Sequence, residues 1–286
     1  MLNSRDICFQ WLEEKRISIK PLSYDKYETA VNKYLLSFFN QYPIDNLDQH
    51  IIEDYLYHQI ELGLSHSTAK FLKSTIKSIY TYAERTYHLD HIDFSCIKID
   101  VKRKSNPITL SDEQEDIVFR YCISHHDALS VAILLTLYSG LKFSEICALQ
   151  YGDIHLDEQY MDIHKMVQRS VNRENDITKT LLHTIELTGA SRRQIILSDF
   201  MCDYLREFMG EYDERKYLLN GTYRLPDQRT YQNKLKQLGN QNGFELTFLI
   251  LRNTFKENCI KNNVDMKTLM TMLGVSNIVF TNNQKK

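Results

Sequence analysis

The stretch Tyr138-Ser-Gly-Leu-Lys-Phe-Ser-Glu-Ile-Cys-Ala-Leu149 decides how the rest of the chain is read. Just before it, Ala128-Leu-Ser-Val-Ala-Ile-Leu-Leu-Thr-Leu137 is almost unbroken in apolar side chains, the pattern of a helix buried on most of its surface. Ser139-Gly140 stops that helix, because glycine enters a left-handed conformation without a Cβ clash. Ser144 then opens a second helix, with Glu145 favoured near its N-terminal end and Ile146, Cys147 and Leu149 on its apolar side. Lys142 lies between the two helices as a lone cation on an apolar wall. An ammonium at the N-terminal end of a helix suits a phosphate. It equally suits a solvated lysine at an ordinary helix corner.

Toward the N-terminus, residues 1–92 hold a single glycine, Gly63, and only Pro21 and Pro43 as prolines, so the segment is expected to be all-helical. The first helix runs over residues 4–15 with Ile7, Trp11 and Leu12 on one side. A second starts at Ser23 and carries Tyr27, Val31, Tyr34 and Leu35. Pro43 and Asp45 open a third with Ile51, Ile52, Tyr55 and Ile60 inward, and Ser65-His-Ser-Thr68 opens a long fourth through Phe71, Leu72, Ile76, Ile79, Tyr80 and Tyr82. Short connections between such helices make a bundle. On the long helix Lys70, Lys73, Lys77 and Arg85 share a broad face. That stripe fits a clamp that tracks a DNA backbone, and it also fits a solvated charged face.

Residues 93–107 change character. Ile97-Lys-Ile-Asp-Val-Lys-Arg-Lys104 alternates apolar and charged side chains and ends in Ser105-Asn-Pro107, as expected of an extended linker whose Lys102, Arg103 and Lys104 lie along phosphates. A second domain, residues 108–286, opens with Ser111 as N-cap and Gln114 completing a capping box. Residues 160–168, 184–187 and 193–197 alternate as strands of one small antiparallel sheet. Further helices are expected over residues 200–209, 230–238, 249–262 and 266–273, with Gly274 as a stop. The expected class is mostly α with a small antiparallel β-sheet.

Composition narrows the function classes. The chain has 286 residues, enough for two domains with separate cores. Its hydrophobic content of 43% and charged content of 25% are those of a soluble globular protein. No apolar run is long enough to span a bilayer and no signal-peptide layout opens the chain, so a cytoplasmic protein without a membrane partner is expected. Cys8, Cys96, Cys122, Cys147, Cys202 and Cys259 are scattered singly without a C-x-x-C, which indicates reduced core thiols that are neither metal ligands nor disulfides. The formal net charge of −2 argues mildly against nucleic acid, although the distribution of cations over one face matters more.

The order of elements resembles the tyrosine recombinase, or phage integrase, family over essentially the whole chain. Ser139-Gly-Leu-Lys-Phe-Ser-Glu-Ile-Cys-Ala-Leu149, Leu251-Arg-Asn-Thr-Phe255 and Val264-Asp-Met-Lys-Thr-Leu-Met-Thr-Met-Leu-Gly-Val-Ser276 carry the resemblance. It implies an N-terminal helical, SAM-like core-binding bundle followed by an α+β catalytic-like domain. It also implies double-stranded DNA as partner, other recombinase protomers as further partners, and chemistry without cofactor or metal. Family members cut DNA with a tyrosine that becomes linked to a 3′-phosphate. Two arginines hold the scissile phosphate, where a planar guanidinium grips oxygens in pairs and stabilises growing charge.

Carried over position by position, most of that machinery is replaced. The first arginine position holds Lys142 and the second keeps Arg252, with Glu145 as the orienting acid. The lysine of the sheet is matched by Leu187, with Gly189 as the nearest alternative. The histidine three residues before Arg252 is Leu249, the late histidine is Val275, and the nucleophile's place falls on Gln284 or Lys285. No histidine follows His183 and no tyrosine follows Tyr231. The resemblance therefore implies a DNA-binding relative that has lost strand cleavage, ending short of the C-terminal segment that packs between protomers in the family. Arg252 would hold a backbone phosphate with help from Lys142, Arg192 or Arg193, or else form an interior salt bridge to Glu145. A decayed integrase remnant, or a modulator that binds active recombinase protomers, remains the alternative.

Overall fold

A computed structural model describes residues 3–19, 21–99, 107–174, 177–210 and 213–276. The chain divides into two compact units, Met1–Lys104 and Ser105–Lys286. Among the described residues no helix is long and apolar enough to cross a membrane.

The N-terminal unit is helical throughout. Helix α1 spans Ser4–Ser18, capped by the Asn3 side chain, and buries Ile7, Trp11 and Leu12 as their spacing predicts. Trp11 donates its indole N–H to the Ser78 hydroxyl at 3.1 Å, which satisfies the polar atom of a buried ring. Helix α2 spans Pro21–Ala30 and starts two residues before the expected Ser23, since proline is at home in a first helical turn. It continues through a π-helical turn, Val31–Leu35, into α3, Leu36–Gln41. Helix α4 spans Gln49–Glu61 and starts later than Pro43, because Asp48 and not Asp45 caps it. Its buried side chains are Ile52 and Leu56, while Ile51, Tyr55 and Ile60 are half-buried. Helix α5, His66–Tyr87, is capped by Ser65 and buries Leu72, Ile76, Ile79 and Tyr80.

The expected linker over 93–107 does not begin where the alternation suggests. Phe94 and Ile97 are buried in the helical core. Tyr80 donates to the Asp90 carbonyl at 2.7 Å, Tyr57 to that of Lys98 at 2.9 Å, and the Lys73 ammonium to that of Ile97. Ile97 and Ile99 thus pack on the helical core, and the carbonyls of Asp90, Ile97 and Lys98 accept donors from the helices. Lys102, Arg103 and Lys104 lie outside the described residues.

In the C-terminal unit, α6 spans Asp112–His125 and opens with the expected capping box of Ser111 and Gln114. Helix α7, Ala128–Ser139, is buried along almost all of its length and forms the centre of the core. Gly140 ends it at φ 64°, with its Cα hydrogen where a methyl would strike the Phe255 ring. Helix α8 is short, Phe143–Ile146, and begins at Lys142 and not at Ser144. The Glu145 side chain accepts the Lys142 N–H at 2.9 Å and so defines that start.

Two sheets replace the single expected one. Strands β1 (Ile154–His155), β2 (Tyr160–Ile163) and β5 (Arg193–Ile196) are antiparallel in the order β1-β2-β5, with Met161 opposite Ile195. Strands β3 (Lys165–Glu174) and β4 (Ile177–Glu186), ten residues each, form a separate antiparallel pair, with Lys165 opposite Glu186. The run over 160–168 breaks at His164, whose carbonyl accepts the Leu187 N–H and whose ring meets Asp153 at 2.8 Å. Helices α9 (Asp199–Met209), α10 (Gln228–Gln241), α11 (Phe248–Lys261) and α12 (Met266–Leu273) complete the unit, and Gly274 closes α12 at φ 61°. Five of the cysteines are buried as expected, whereas Cys96 is exposed.

Gly140→Ala is expected to cost about 2–4 kcal/mol, from the left-handed backbone and the forced shift of Phe255. Asp127 caps α7 by accepting the Ser130 N–H at 2.8 Å, and Asp127→Ala should cost about 1 kcal/mol. Urea unfolding of the two variants should place the glycine change clearly below the cap change in midpoint.

Candidate functional site

The left-handed turn at Gly140 reverses the chain and brings the start of α8 beside β5 and the end of α12. Glu145 is fully buried there. Its carboxylate accepts Nη2 of Arg193 at 2.9 Å on one oxygen and Nη1 at 3.2 Å on the other. The two side chains are only 3% and 0% exposed. Two further Arg193 hydrogen bonds run from Nε to the Met272 carbonyl at 2.9 Å and from Nη1 to the Ser191 carbonyl at 2.9 Å. Lys142 stands at the rim, 37% exposed, with Nζ 3.4 Å from Oε1 of Glu145. Burial pushes the Glu145 carboxyl up, but the hydrogen bonds and charge of Arg193, the Lys142 N–H and the Lys142 ammonium together hold it below the ordinary value.

Arg252, in α11, has a different environment. Nη2 donates to the Leu273 carbonyl at 2.7 Å, while Nη1 is buried and has no partner among the described residues. Burial lowers the Arg252 pKa from its ordinary value, Glu145 raises it and Arg193 lowers it again. Two arginines thus grip consecutive carbonyls of the last turn of α12, Met272 and Leu273, and the Ser191 hydroxyl reaches Gly274 at 3.5 Å. Positive charge at the C-terminal end of a helix offsets its dipole and fills orphan carbonyls. Gly274 is required here, since a Cβ would lie 2.6 Å from Nη1 of Arg193.

Several expected site residues are not where a phosphate could reach them. Arg193 was expected to meet DNA and is instead the interior partner of Glu145, the role offered above as an alternative for Arg252. The signal was present in the alternation of β5, which sets Arg193 in step with buried Ile195 and Leu197. Arg192 is exposed and lines a groove of about 600 Å³ with Asp153, His155, Asp162, His164 and Gln194. Leu187 is buried at the end of β4, and Gly189 sits in a short turn at φ 56°. Leu249 projects from the first turn of α11, 68% exposed. Val275 packs on the small cluster of Phe255, Cys259, Leu269 and Leu273. Gln284 and Lys285 lie outside the described residues. In the N-terminal unit Lys70 and Lys77 are exposed, and with Lys73, whose ammonium is taken by Ile97, they line a groove of about 390 Å³. The Ser191 hydroxyl and the α12 carbonyls were not foreseen, because backbone acceptors leave no mark in composition or spacing.

Comparison with known proteins is consistent across sequence and structure. The profile of the phage integrase family matches residues 109–284, and that of the phage integrase N-terminal SAM-like domain matches residues 5–58. A tyrosine recombinase XerC-like protein of Caldanaerobacter subterraneus subsp. tengcongensis is 23% identical over 304 residues, covering 97% of this chain and 77% of the relative. Among solved structures, the Tn1549 transposon integrase in complex with transposon right end DNA has a TM-score of 0.74 at 16% identity, covering 95% of this chain and 91% of the other. A lambda integrase tetramer bound to a Holliday junction has a TM-score of 0.67 at 17% identity, covering 96% and 77%. At these identities the structures establish a shared fold.

Arg193→Met should cost about 3–5 kcal/mol, because it leaves the Glu145 charge buried beside Lys142 alone, and Arg193→Met/Glu145→Met should cost less than the single change. A carboxyl whose folded pKa is depressed stabilises the fold above its unfolded value, here 4.5, and that contribution is lost as pH falls through the folded value. Wild-type stability should therefore drop below pH 4.5, while Glu145→Gln, less stable at neutral pH, should show a shallower acid limb in chemical unfolding.

Proposed function

The chain belongs to the phage integrase family, and on that premise we propose that it holds double-stranded DNA through a phosphate site at Arg252 without cutting the strand. The observation that carries this reading is the buried Nη1 of Arg252, which has no partner among the described residues. A buried N–H with no acceptor costs about 1–3 kcal/mol, more for a charged group. A phosphate oxygen would supply that acceptor. Lys142, Arg193 and Arg252 also face a single carboxylate, Glu145, so the site carries excess positive charge. Lys142 and Arg252 are the members left to offer it to a ligand.

The loss of cutting follows from residue chemistry. Lys142 is a point charge on a flexible stem and lacks the two-pronged grip of a guanidinium. Leu187, Leu249 and Val275 can neither accept nor donate a proton at a phosphate oxygen. Gln284 and Lys285 are not tyrosines. Tyrosine recombination is thus the ancestry of the chain, and DNA binding is the part of it that the site retains. The N-terminal unit acts as the core-binding domain, with Lys70 and Lys77 on DNA, and the basic run through Lys102, Arg103 and Lys104 joins the two units. The solved relatives carrying DNA, one of them a tetramer, support duplex DNA and further recombinase protomers as partners. The cytoplasm is the compartment where both are met.

Fluorescence anisotropy with a labelled mixed-sequence duplex tests this. Binding should weaken as salt rises, linearly on logarithmic axes. Arg252→Gln should lower affinity about ten-fold and reduce the slope by about 1. Absent or salt-independent binding by the folded wild type would contradict the reading.

A further inference from the structure

We propose a second contact for duplex DNA in the C-terminal unit, separate from Arg252: residues 213–224 form a pedestal that presents Arg215 and Lys216 over the exposed ring of Tyr223, with the exposed Arg224 next to it in the chain, to the phosphate backbone. The proposal rests on the DNA-binding reading above and extends it to residues that neither the family motifs nor the candidate site include.

The pedestal is fixed from below. Leu218 and Leu219 are buried in the core. Leu218 donates its N–H to the Leu149 carbonyl at 2.8 Å, while Tyr151 and Gly152 donate to the carbonyls of Lys216 at 3.0 Å and Glu214 at 2.9 Å. The segment is thereby stitched to the chain that leaves α8. Gly221, at φ 60°, closes a turn in which its N–H reaches the Tyr217 carbonyl at 2.9 Å and the Tyr217 N–H reaches that of Thr222 at 2.8 Å. The Asn220 amide holds the Arg224 carbonyl at 2.8 Å.

The side chains on top are pre-arranged. The Tyr223 ring is 60% exposed. Its hydroxyl donates to Asp213 at 2.7 Å, and the same carboxylate accepts the Arg215 N–H at 2.9 Å and its guanidinium at 3.4 Å. The guanidinium carbon of Arg215 and the ammonium of Lys216 each lie 5.8 Å from the ring centre, within cation–π range. Two flexible cations are thus held by one stiff ring, so less side-chain entropy remains to be lost on binding. The Asp213 carboxyl, held at about 2 by its donors from Arg215 and Tyr223, stays ionised and keeps the array in place at neutral pH.

A backbone polyanion fits this array better than a compact ligand because the positive charge continues along the surface. Gln150 donates to the Arg215 carbonyl at 2.7 Å and accepts Lys165 at 3.0 Å, which places Lys165 beside the pedestal. Arg169, further along β3, pairs with Asp227 at 2.9 Å. Asp213 and Asp227 are engaged by arginines, and the exposed Glu214 and the Glu186 opposite Lys165 are the other carboxylates along this strip, whose cations Lys216, Arg224 and Lys165 form no ion pair among the described residues.

The test uses the full chain, the same labelled mixed-sequence duplex and a salt series. Lys216→Gln/Arg224→Gln removes two cations whose side chains make no hydrogen bond among the described residues that holds the turn. It is expected to lower affinity about ten-fold and make the logarithmic salt slope shallower by about 2, at an unchanged melting temperature. Tyr223→Ala should weaken binding more than Tyr223→Phe, which keeps the ring that the cations rest on. Wild-type affinity and slope in the double variant, with Arg252→Gln still impaired, would overturn this contact and leave DNA binding at Arg252 standing. Absence of binding by the wild type would overturn both.

Discussion

The charge pair between Glu145 and Arg193 lies where water does not reach, and the C-terminal unit is arranged around it. A carboxylate and a guanidinium removed from water each lose several kcal/mol of solvation, which their attraction offsets only if every remaining donor and acceptor is satisfied. Here that condition is nearly met. Glu145 takes two Arg193 donors and the Lys142 N–H, and Arg193 places two more of its five donors on Ser191 and Met272. One pair therefore joins α8, β5, the turn before β5 and the end of α12. Its geometry also demands glycine at 140 and 274, where a side chain would collide with Phe255 or with Arg193 itself.

Arg252 shows what the Glu145–Arg193 pair leaves over. It shares the work of capping α12 but has no carboxylate of its own among the described residues, where Glu145 is committed to Arg193. A half-satisfied guanidinium in a protein interior is unfavourable for stability and useful for binding an anion. The proposed phosphate grip does not require a nucleophile or a proton carrier, because binding and cutting draw on different residues. Electrostatic grip needs only positive charge held in place, whereas cleavage needs a base, an acid and an attacking oxygen aligned together.

Much of this was legible in the sequence where local rules act alone. The buried run of α7, the stop at Gly140, the Ser111–Gln114 box and the stripe of Ile7, Trp11 and Leu12 are each decided by neighbours within a few residues. The long antiparallel pair of β3 and β4 was not, because Arg169 to His183 is mostly polar and lacks the alternation that marks a half-buried strand. The start of α8 was misplaced by two residues because the reciprocal bond from Lys142 to Glu145 outranked the capping tendency of Ser144. Residues 93–99 looked like linker because their alternation is also what a segment lying on a helical core shows. At the site, the family motifs located Arg252, Lys142 and Glu145, but the choice between Arg193 and Arg252 as the acid's partner depends on contacts from 48 residues away. No local pattern encodes that choice.

The central claim is that the chain holds DNA it cannot cut, and incubation with a nicked, suicide-type duplex tests it most directly. Such a substrate traps any protein–DNA bond, because the released fragment diffuses away before religation. The account predicts a mobility shift with no covalent adduct surviving denaturation. A denaturation-resistant adduct would contradict it and would show that another residue, or another subunit, supplies the nucleophile.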